Sequence, residues 1–269
     1  MAQPVPILLY HSISETAHNR FRRWTVAPRV FAAHMRQLAD GGYRPVAVSD
    51  FLALRANAAL PEKPVVITFD DGYRDFVTRA MPVLVEHRFP VTLFVTSGYV
   101  GGTSEWLIRE RETDRQMLTW TQLGDLPHDL VELGGHGYSH RQLDTLPLGE
   151  ALADVERGVE LLSRRTHRPI TTFAYPHGYA TAEIEAEIGR LGLVGACGVG
   201  DALSSPAEGP YKLSRVIVDG TTTPALLRRI VDGAGVRIGQ PHAEWQQRLW
   251  RSWRRTRLAV GIDKAHVPV

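Results

Sequence analysis

The chain of 269 residues is 43% hydrophobic and 22% charged, so it can bury one substantial core, and we expect a single domain. Its formal net charge of +2 excludes the strong overall field that is typical of nucleic-acid-binding proteins. Cys197 is the only cysteine, which excludes an intrachain disulfide and any requirement for an oxidising compartment.

The N-terminal sequence MAQPVPILLYHS has no basic region, and its apolar stretch is too short for a signal peptide. The sequence contains no run of about 18 uncharged apolar residues, the length that a membrane helix needs. We therefore expect a cytoplasmic location, with peripheral contact at the inner membrane face as a further option.

Short apolar runs alternate with segments of helical periodicity along most of the chain. The runs predict strands at 6–10, 44–48, 65–69, 91–95, 130–133, 171–175, 193–197 and 216–218. The segments between them predict helices at 28–40, 49–56, 75–87, 148–165, 182–191 and 223–232. This alternation indicates an α/β fold with parallel strands, either closed into a barrel or doubly wound. The polar segment 100–119 is predicted to be an insertion over one end of the sheet.

Two adjacent carboxylates, Asp70 and Asp71, follow the apolar run VVITF. Active-site loops of β/α folds are built at the carboxyl ends of the strands, and neighbouring side chains there point in different directions. The pair can therefore serve two different roles, and Gly72 permits a tight turn after it. The alternative is a helix cap, which would explain one aspartate better than two.

A pair of histidines, His136 and His140, follows the strand predicted at 130–133. Their spacing allows both imidazoles to reach one metal ion, whether the residues between them form a helical turn or a loop. Alone, this spacing is weak evidence. Together with a strand-end aspartate it gives an Asp-His-His set that suits Zn²⁺ or another divalent transition metal.

Two further strand ends carry candidate groups. After the run TTFAY, Pro176 and Gly178 predict a bend that could direct backbone N–H groups at a developing oxyanion. His11 follows the first predicted strand, where a lone histidine is most often a hydrogen-bonded structural residue. Its position at the same end of the fold as the other groups favours a functional role.

These motifs resemble the polysaccharide deacetylases, the NodB-homology group of carbohydrate esterase family 4. TFDDGY is similar to the first family motif, which implies that Asp70 is the general base and that Asp71 binds the metal. HGYSH is similar to the second, which implies His136 and His140 as the other two ligands. The family fold is a distorted (β/α)7 barrel. Gly137 stands where the family has Ser or Thr bracing the loop, which implies weaker support for the ligands.

The third motif departs further from the family. FAYPHG resembles Arg-x-Pro-Tyr, with Ala174 at the Arg position and His177 at the Tyr position. Another cation should therefore pair with the catalytic aspartate, and Arg215 is the candidate, while the His177 backbone N–H could serve the oxyanion. The late Leu-x-His motif is absent. LLYHSI instead resembles the poly-N-acetylglucosamine deacetylase branch, which implies that His11 is the general acid. The resemblance covers residues 5–218.

The resemblance implies a metal-dependent hydrolase that removes N-acetyl groups from an N-acetylated sugar in a polysaccharide, oligosaccharide or lipid-linked glycan. Zn²⁺ is the expected metal, with Co²⁺, Ni²⁺ or Mn²⁺ as alternatives. Two other functions stay open: hydrolysis of another small amide, such as a formamido sugar, and non-catalytic carbohydrate binding. The intact ligand set argues against the second, while the missing Arg and late His favour it.

The C-terminal segment differs in composition from the rest, and we divide the chain into a catalytic domain at 1–240 and a basic helix and tail at 241–269. Residues 243–260 contain five arginines and one glutamate, with Trp245, Leu249 and Trp253 on one helical face. The helix could dock on the barrel or lie on an anionic membrane, and nucleic-acid binding is not expected.

The remaining polar candidates are given no role in the site. We expect Cys197 to be a small buried side chain. We expect these histidines to lie at the surface or beside the site: His18, His34, His87, His128, His167, His242 and His266.

Overall fold

Eight parallel strands form one curled sheet in the computed structural model, which describes residues 3–239. The predicted C-terminal segment 241–269 lies outside the described residues. Each of the eight predicted strands is present in this sheet, with ends shifted by a few residues. The strands are β1 Ile7–Tyr10, β2 Ser12–Ile13, β3 Thr25–Val26, β4 Arg44–Val46, β5 Pro64–Phe69, β6 Val91–Val95, β7 Val131–Gly135, β8 Thr172–Ala174, β9 Gly195–Cys197, β10 Ala202–Leu203, β11 Val216–Ile217 and β12 Arg237–Ile238. Two small sheets, β2 with β3 and β10 with β12, complete the set.

The helices also follow the prediction closely. They are α1 Pro28–Asp40, α2 Val48–Ala56, α3 Met81–His87, α4 Trp120–Gly124, α5 Leu148–Thr166, α6 Ala182–Glu187 and α7 Pro224–Val231. Two predicted helices are not continuous α-helix, because a π-helix, Phe76–Ala80, precedes α3, and a 3₁₀ turn, Ile188–Leu191, follows α6. The short helix α4 was not predicted. Its capping box between Thr119 and Gln122 is the local signal for it.

The main sheet closes into a barrel through one short chain segment. The strand order is β11-β1-β5-β6-β7-β8-β9, with β4 paired to the first half of β5. Leu213 exchanges backbone hydrogen bonds with the β9 edge, at 2.9 Å from its N to Ala196 O and 2.9 Å from Gly198 N to its O. Three residues later, β11 pairs with β1. The barrel alternative is therefore correct, and segment 213–217 joins its two edges.

Apolar side chains on both faces of the sheet explain why the strands read as continuous hydrophobic runs. Phe31, Met35 and Leu38 of α1, at helical spacing, are fully buried against one face. Cys197 is buried inside the barrel, as predicted. His34 corrects the prediction, because it is a core residue whose ring nitrogens lie 3.1 Å from the Tyr10 hydroxyl and 2.9 Å from Thr222 O.

The carboxyl ends of the strands converge on one end of the barrel, where β1, β5, β7 and β8 lead into the predicted site residues. The segment 100–119 covers this end, with Leu118 N bonded to Gly72 O at 2.9 Å, as predicted. Within residues 3–239, none of the helices combines the length and apolar composition needed to cross a bilayer.

Candidate metal centre and active site

A sharp turn after β5 separates the two aspartates. Asp71 has a φ of 76° and Gly72 a φ of 90°, a left-handed conformation that an aspartate adopts only under constraint. A side chain at 72 would also approach Val95, with 3.3 Å between a Cβ and Val95 Cγ1. Neither carboxylate caps the following helix, whose N-cap residue is Asp75. The helix-cap alternative is therefore excluded, and the turn sends Asp70 and Asp71 to different partners.

Asp71 faces His136 and His140. Its Oδ1 lies 3.4 Å from His136 Nε2 and 3.1 Å from His140 Nε2. All three side chains are buried, and their candidate ligand atoms lie within 4.8 Å of one another. The two contacts lack hydrogen-bond geometry, so among residues 3–239 this buried oxygen has no hydrogen-bond partner. A buried, unsatisfied carboxylate oxygen facing two imidazole nitrogens fits a divalent transition metal.

The two histidines are held in different ways. His136 Nδ1 lies 2.7 Å from Ala174 O, which leaves Nε2 for the metal. His140 has a φ of 55°, and its ring packs between Trp106 and His177, with centroid distances of 4.9 and 4.8 Å. Ala174, at the position of the family arginine, therefore still contributes its backbone oxygen to the site.

Charge in this cluster keeps both carboxylates ionised. Burial would raise the pKa of Asp71, but His140 and His136 outweigh burial and hold that pKa well below its usual value. Burial would likewise raise the pKa of Asp70, but Arg215 and His136 outweigh it and lower the pKa. The pKa of His136 is raised, because Asp70 and Asp71 overcome the effect of burial. The cluster thus favours a positive charge between the two carboxylates.

Asp70 pairs with Arg215, which lies directly before β11. The guanidinium donates two hydrogen bonds, at 2.7 Å to Oδ1 and 2.8 Å to Oδ2. Arg215 is fully buried and also donates from Nε to Gly198 O at 2.8 Å. This is the two-point Arg–carboxylate geometry that fixes an aspartate in one orientation. The cation that takes the place of the family arginine therefore comes from the segment that closes the barrel, not from β8.

His11 lies at the same end of the barrel, directly after β1. Its ring packs 4.9 Å from that of Trp24, and its Nδ1 has no hydrogen-bond partner in the described part of the chain. Burial lowers the pKa of His11, while Asp71 and Asp70 act in the opposite direction. The side chain is therefore within electrostatic range of both carboxylates and has a free polar atom.

His177 lies in the bend after β8, with a φ of 61°. Burial and the neighbouring His140 lower the pKa of His177 to about 3, so its ring is neutral at physiological pH. The His177 ring packs beside the His140 ring. The sequence did not predict this contact. Its backbone role at the oxyanion stays a prediction.

Aromatic residues around the site were missed in the sequence. Trp24 contacts His11, and Trp106 contacts His140 and Tyr99. Trp106 belongs to the insertion. The polar composition of that segment does not indicate that one of its side chains reaches the site. These rings give the site apolar walls beside both the predicted acid and a predicted ligand.

Arg115 attaches the insertion to the segments that follow β1 and β5. It donates to Ser12 Oγ at 2.9 Å, Asp75 Oδ2 at 3.2 Å, Thr16 O at 3.1 Å and Glu112 Oε1 at 2.6 Å. Because Ser12 follows His11 and Asp75 follows the Asp70–Asp71 turn, this guanidinium fixes the insertion against two site loops.

The sequence profile of the polysaccharide deacetylase family matches residues 57–196, so the chain belongs to this family. The protein YxkH of Bacillus subtilis, classed by its name among polysaccharide deacetylases, is 29% identical over 215 residues, 80% of this chain and 71% of its own length. The poly-beta-1,6-N-acetyl-D-glucosamine N-deacetylase of Escherichia coli K12 is 30% identical over 149 residues, 53% of this chain but only 22% of that protein.

Solved structures show the same fold. A Streptococcus pyogenes deacetylase, PplD, in complex with acetate superposes with a TM-score of 0.74 at 21% identity, covering 86% of this chain and 99% of that one. IcaB from Ammonifex degensii superposes with a TM-score of 0.72 at 25% identity, covering 87% and 97%. The predicted family resemblance and barrel fold are confirmed.

Proposed function

We propose that this protein is a metal-dependent hydrolase that removes N-acetyl groups from an N-acetylated sugar in a polysaccharide, oligosaccharide or lipid-linked glycan. The observation that carries the proposal is that two adjacent aspartates have different partners. Asp71 faces two histidines, whereas Asp70 is held by Arg215. Amide hydrolysis needs these two functions side by side, a ligand for the metal and a base for the water.

Asp71, His136 and His140 would hold the metal, with Zn²⁺ the best match to one carboxylate and two imidazoles and Co²⁺, Ni²⁺ or Mn²⁺ as alternatives. When bound, such an ion lowers the pKa of water and polarises a carbonyl group. Three protein ligands leave positions open for water and substrate, as catalytic rather than structural sites do.

Asp70 is proposed as the general base. It would take a proton from the attacking water as the new C–O bond forms, and Arg215 keeps its carboxylate ionised and oriented before that step. The backbone N–H of His177 is proposed to stabilise the oxyanion that develops on the acetyl oxygen.

His11 is proposed as the general acid. As the C–N bond breaks, it would donate a proton to the leaving nitrogen, giving acetate and a free amino sugar. This step needs the protonated imidazole, which burial disfavours and the two nearby carboxylates favour. The contact between the rings of His11 and Trp24, at a wall of the site, supports this role.

The substrate class is supported by relatives whose names specify poly-beta-1,6-N-acetyl-D-glucosamine, in Escherichia coli and in Staphylococcus aureus. The Staphylococcus aureus protein is 20% identical over 219 residues, which are 80% of this chain and 74% of its own length. We therefore propose a β-linked N-acetylglucosamine glycan as the first substrate to test.

The test is acetate release from N-acetylglucosamine oligomers by purified full-length protein, before and after chelation and after restoration with Zn²⁺ or Co²⁺. The expected result is acetate that disappears with the metal and returns with it, and that is absent in Asp70→Asn. Metal binding without acetate would contradict N-deacetylation. Formate release from formamido sugars would then indicate the small-amide alternative, and glycan binding without turnover would indicate a binding protein.

A further inference from the structure

The loop that joins the two histidine ligands has a shape that needs support from outside the loop. Gly137 has a φ of 73° and His140 a φ of 55°, so the loop enters the left-handed region twice within four residues. A histidine in that region is strained, and the surrounding structure must hold it there. The Ser or Thr expected at 137 is absent from this sequence.

Asp154 of α5 supplies contacts to this loop. Its carboxylate accepts hydrogen bonds from Tyr138 N at 2.9 Å and Ser139 N at 3.2 Å, and a short one from Ser139 Oγ. Tyr138 N also lies 3.2 Å from the backbone oxygen of Asp154. The residue thus contacts the loop midway between His136 and His140, although it touches neither imidazole.

Close approach of α5 makes these contacts possible. A Cβ on Gly158, one helical turn after Asp154, would lie 2.8 Å from Gly137 C and 2.8 Å from Tyr138 N. A Cβ on Gly137 would lie 2.8 Å from Asp154 Oδ1, so a serine at 137 would displace the Asp154 carboxylate from its observed position. The loop is therefore supported although residue 137 is a glycine. This glycine makes room for a carboxylate that comes from the helix.

One face of α5 packs against the loop between the two histidines. Asp154, Arg157 and Gly158 have i, i+3 and i+4 spacing and therefore share a helix face. The Arg157 guanidinium carbon lies 3.6 Å from the centre of the Tyr138 ring. Asp154 thus contacts Tyr138 and Ser139, Arg157 contacts Tyr138, and Gly158 lies against Gly137 and Tyr138.

We propose that Asp154 is a positioning residue of the metal centre, which acts through the loop to hold His136 and His140 at the separation that the ion requires. This role rests on the proposed metal-dependent function. Residues that orient metal ligands without touching the ion typically contribute about 10–100-fold to metal affinity. The loss of Asp154 should therefore weaken metal binding without unfolding the barrel.

The experiment measures Zn²⁺ affinity of the purified full-length protein by competition with a chromophoric chelator. Asp154→Ala should bind Zn²⁺ about 10–100-fold more weakly than wild type. Asp154→Asn keeps one acceptor oxygen for Tyr138 N, so its Zn²⁺ affinity should lie between those of wild type and Asp154→Ala. Gly158→Ala should also weaken binding, because its methyl group would displace the loop. Glu156→Ala is the matched control, since Glu156 is an exposed carboxylate on the same helix.

Far-UV circular dichroism of each metal-free variant separates a positioning role from a general loss of structure. The proposal expects native spectra with reduced affinity, in the order wild type, Asn, Ala. Wild-type affinity in both Asp154 variants would overturn the role of Asp154 and leave the proposed function intact. A wild-type protein that binds no Zn²⁺ would overturn both.

Discussion

Arg215 and Asp70 are separated by 145 residues in the chain and form the two-point ion pair of the site, at 2.7 and 2.8 Å. Both residues are buried, and the pair connects β5 to the segment that closes the barrel. A buried carboxylate without its cation would bind a proton and lose its capacity as a base. We therefore expect this one contact to contribute to the proposed catalysis as well as to stability.

Arg215→Met should lose activity and stability together. Removal of one member of a buried ion pair leaves the other charge uncompensated and typically costs about 3–5 kcal/mol. We expect a loss of this size in urea unfolding, together with a fall of about 100-fold or more in acetate release because Asp70 becomes protonated. Arg36→Ala, at an exposed position on α1, is the control and should change neither. Normal activity of Arg215→Met would show that Asp70 does not need this cation.

The two aspartates should separate metal binding from proton transfer. Asp71→Asn should lose Zn²⁺, because the charged ligand that faces His136 and His140 is gone. Asp70→Asn should keep Zn²⁺ but lose about 10²–10⁴-fold in acetate release, the usual contribution of a general base. Metal content and turnover are measured on the same preparations. A reversed pattern, with metal lost in Asp70→Asn, would refute the assigned roles.

His34, a buried core residue, should make the stability depend on pH. Burial lowers the pKa of His34 from 6.5 to about 4, so between these values the unfolded chain binds a proton that the folded protein does not. Stability should therefore fall as the pH drops from about 6.5 to about 4, by about 3 kcal/mol.

Urea unfolding of chelator-treated wild type and His34→Gln across this pH range provides the measurement. The difference between the two proteins isolates the contribution of His34 from that of other titrating groups. It should be constant above pH 6.5 and change by the stated amount below it. A difference that does not vary with pH would show that folding does not lower the pKa of His34.

Arg115 should control the order of the insertion. Arg115→Ala removes the bonds to Ser12, Asp75 and Thr16, and the bond to Glu112 within the insertion, so the insertion should be held less tightly against the site loops. We expect about 2 kcal/mol of destabilisation and faster thermolysin cleavage within 103–116, detected by mass spectrometry. The exposed Arg111, changed to Ala in the same loop, is the control. Equal cleavage of both variants would mean that other contacts fix the insertion.

Much of the fold was predictable because the strands are covered on both faces, and therefore appear as continuous apolar runs such as VVITF. The three candidate ligands and Asp70 could be predicted because each follows such a run or lies close behind it. The pairing of Arg215 with Asp70 was suggested by a missing residue, the arginine that Ala174 replaces.

What escaped prediction depends on contacts between distant residues. Asp154 looks like an ordinary polar position on an amphipathic helix, and only the approach of α5 to the ligand loop gives it a partner. His34 was predicted to lie at the surface or beside the site, because the sequence does not show that Tyr10 and Thr222 contact it in the core. Trp106 lies in a segment without periodicity, so its contact with His140 leaves no local pattern.

The segment that closes the barrel also contains Arg215. Because this segment is synthesised late, the cation of the site is added after the other site residues. A nascent chain that has not yet reached Leu213 already contains Asp71, His136 and His140, but lacks the cation that holds Asp70 in its charged form. Such a chain contains the candidate ligands and the proposed base, but not the residue that orients that base. Under the proposed function, hydrolytic activity would arise only when the two sheet edges join, so a partly made or partly unfolded chain would be inactive.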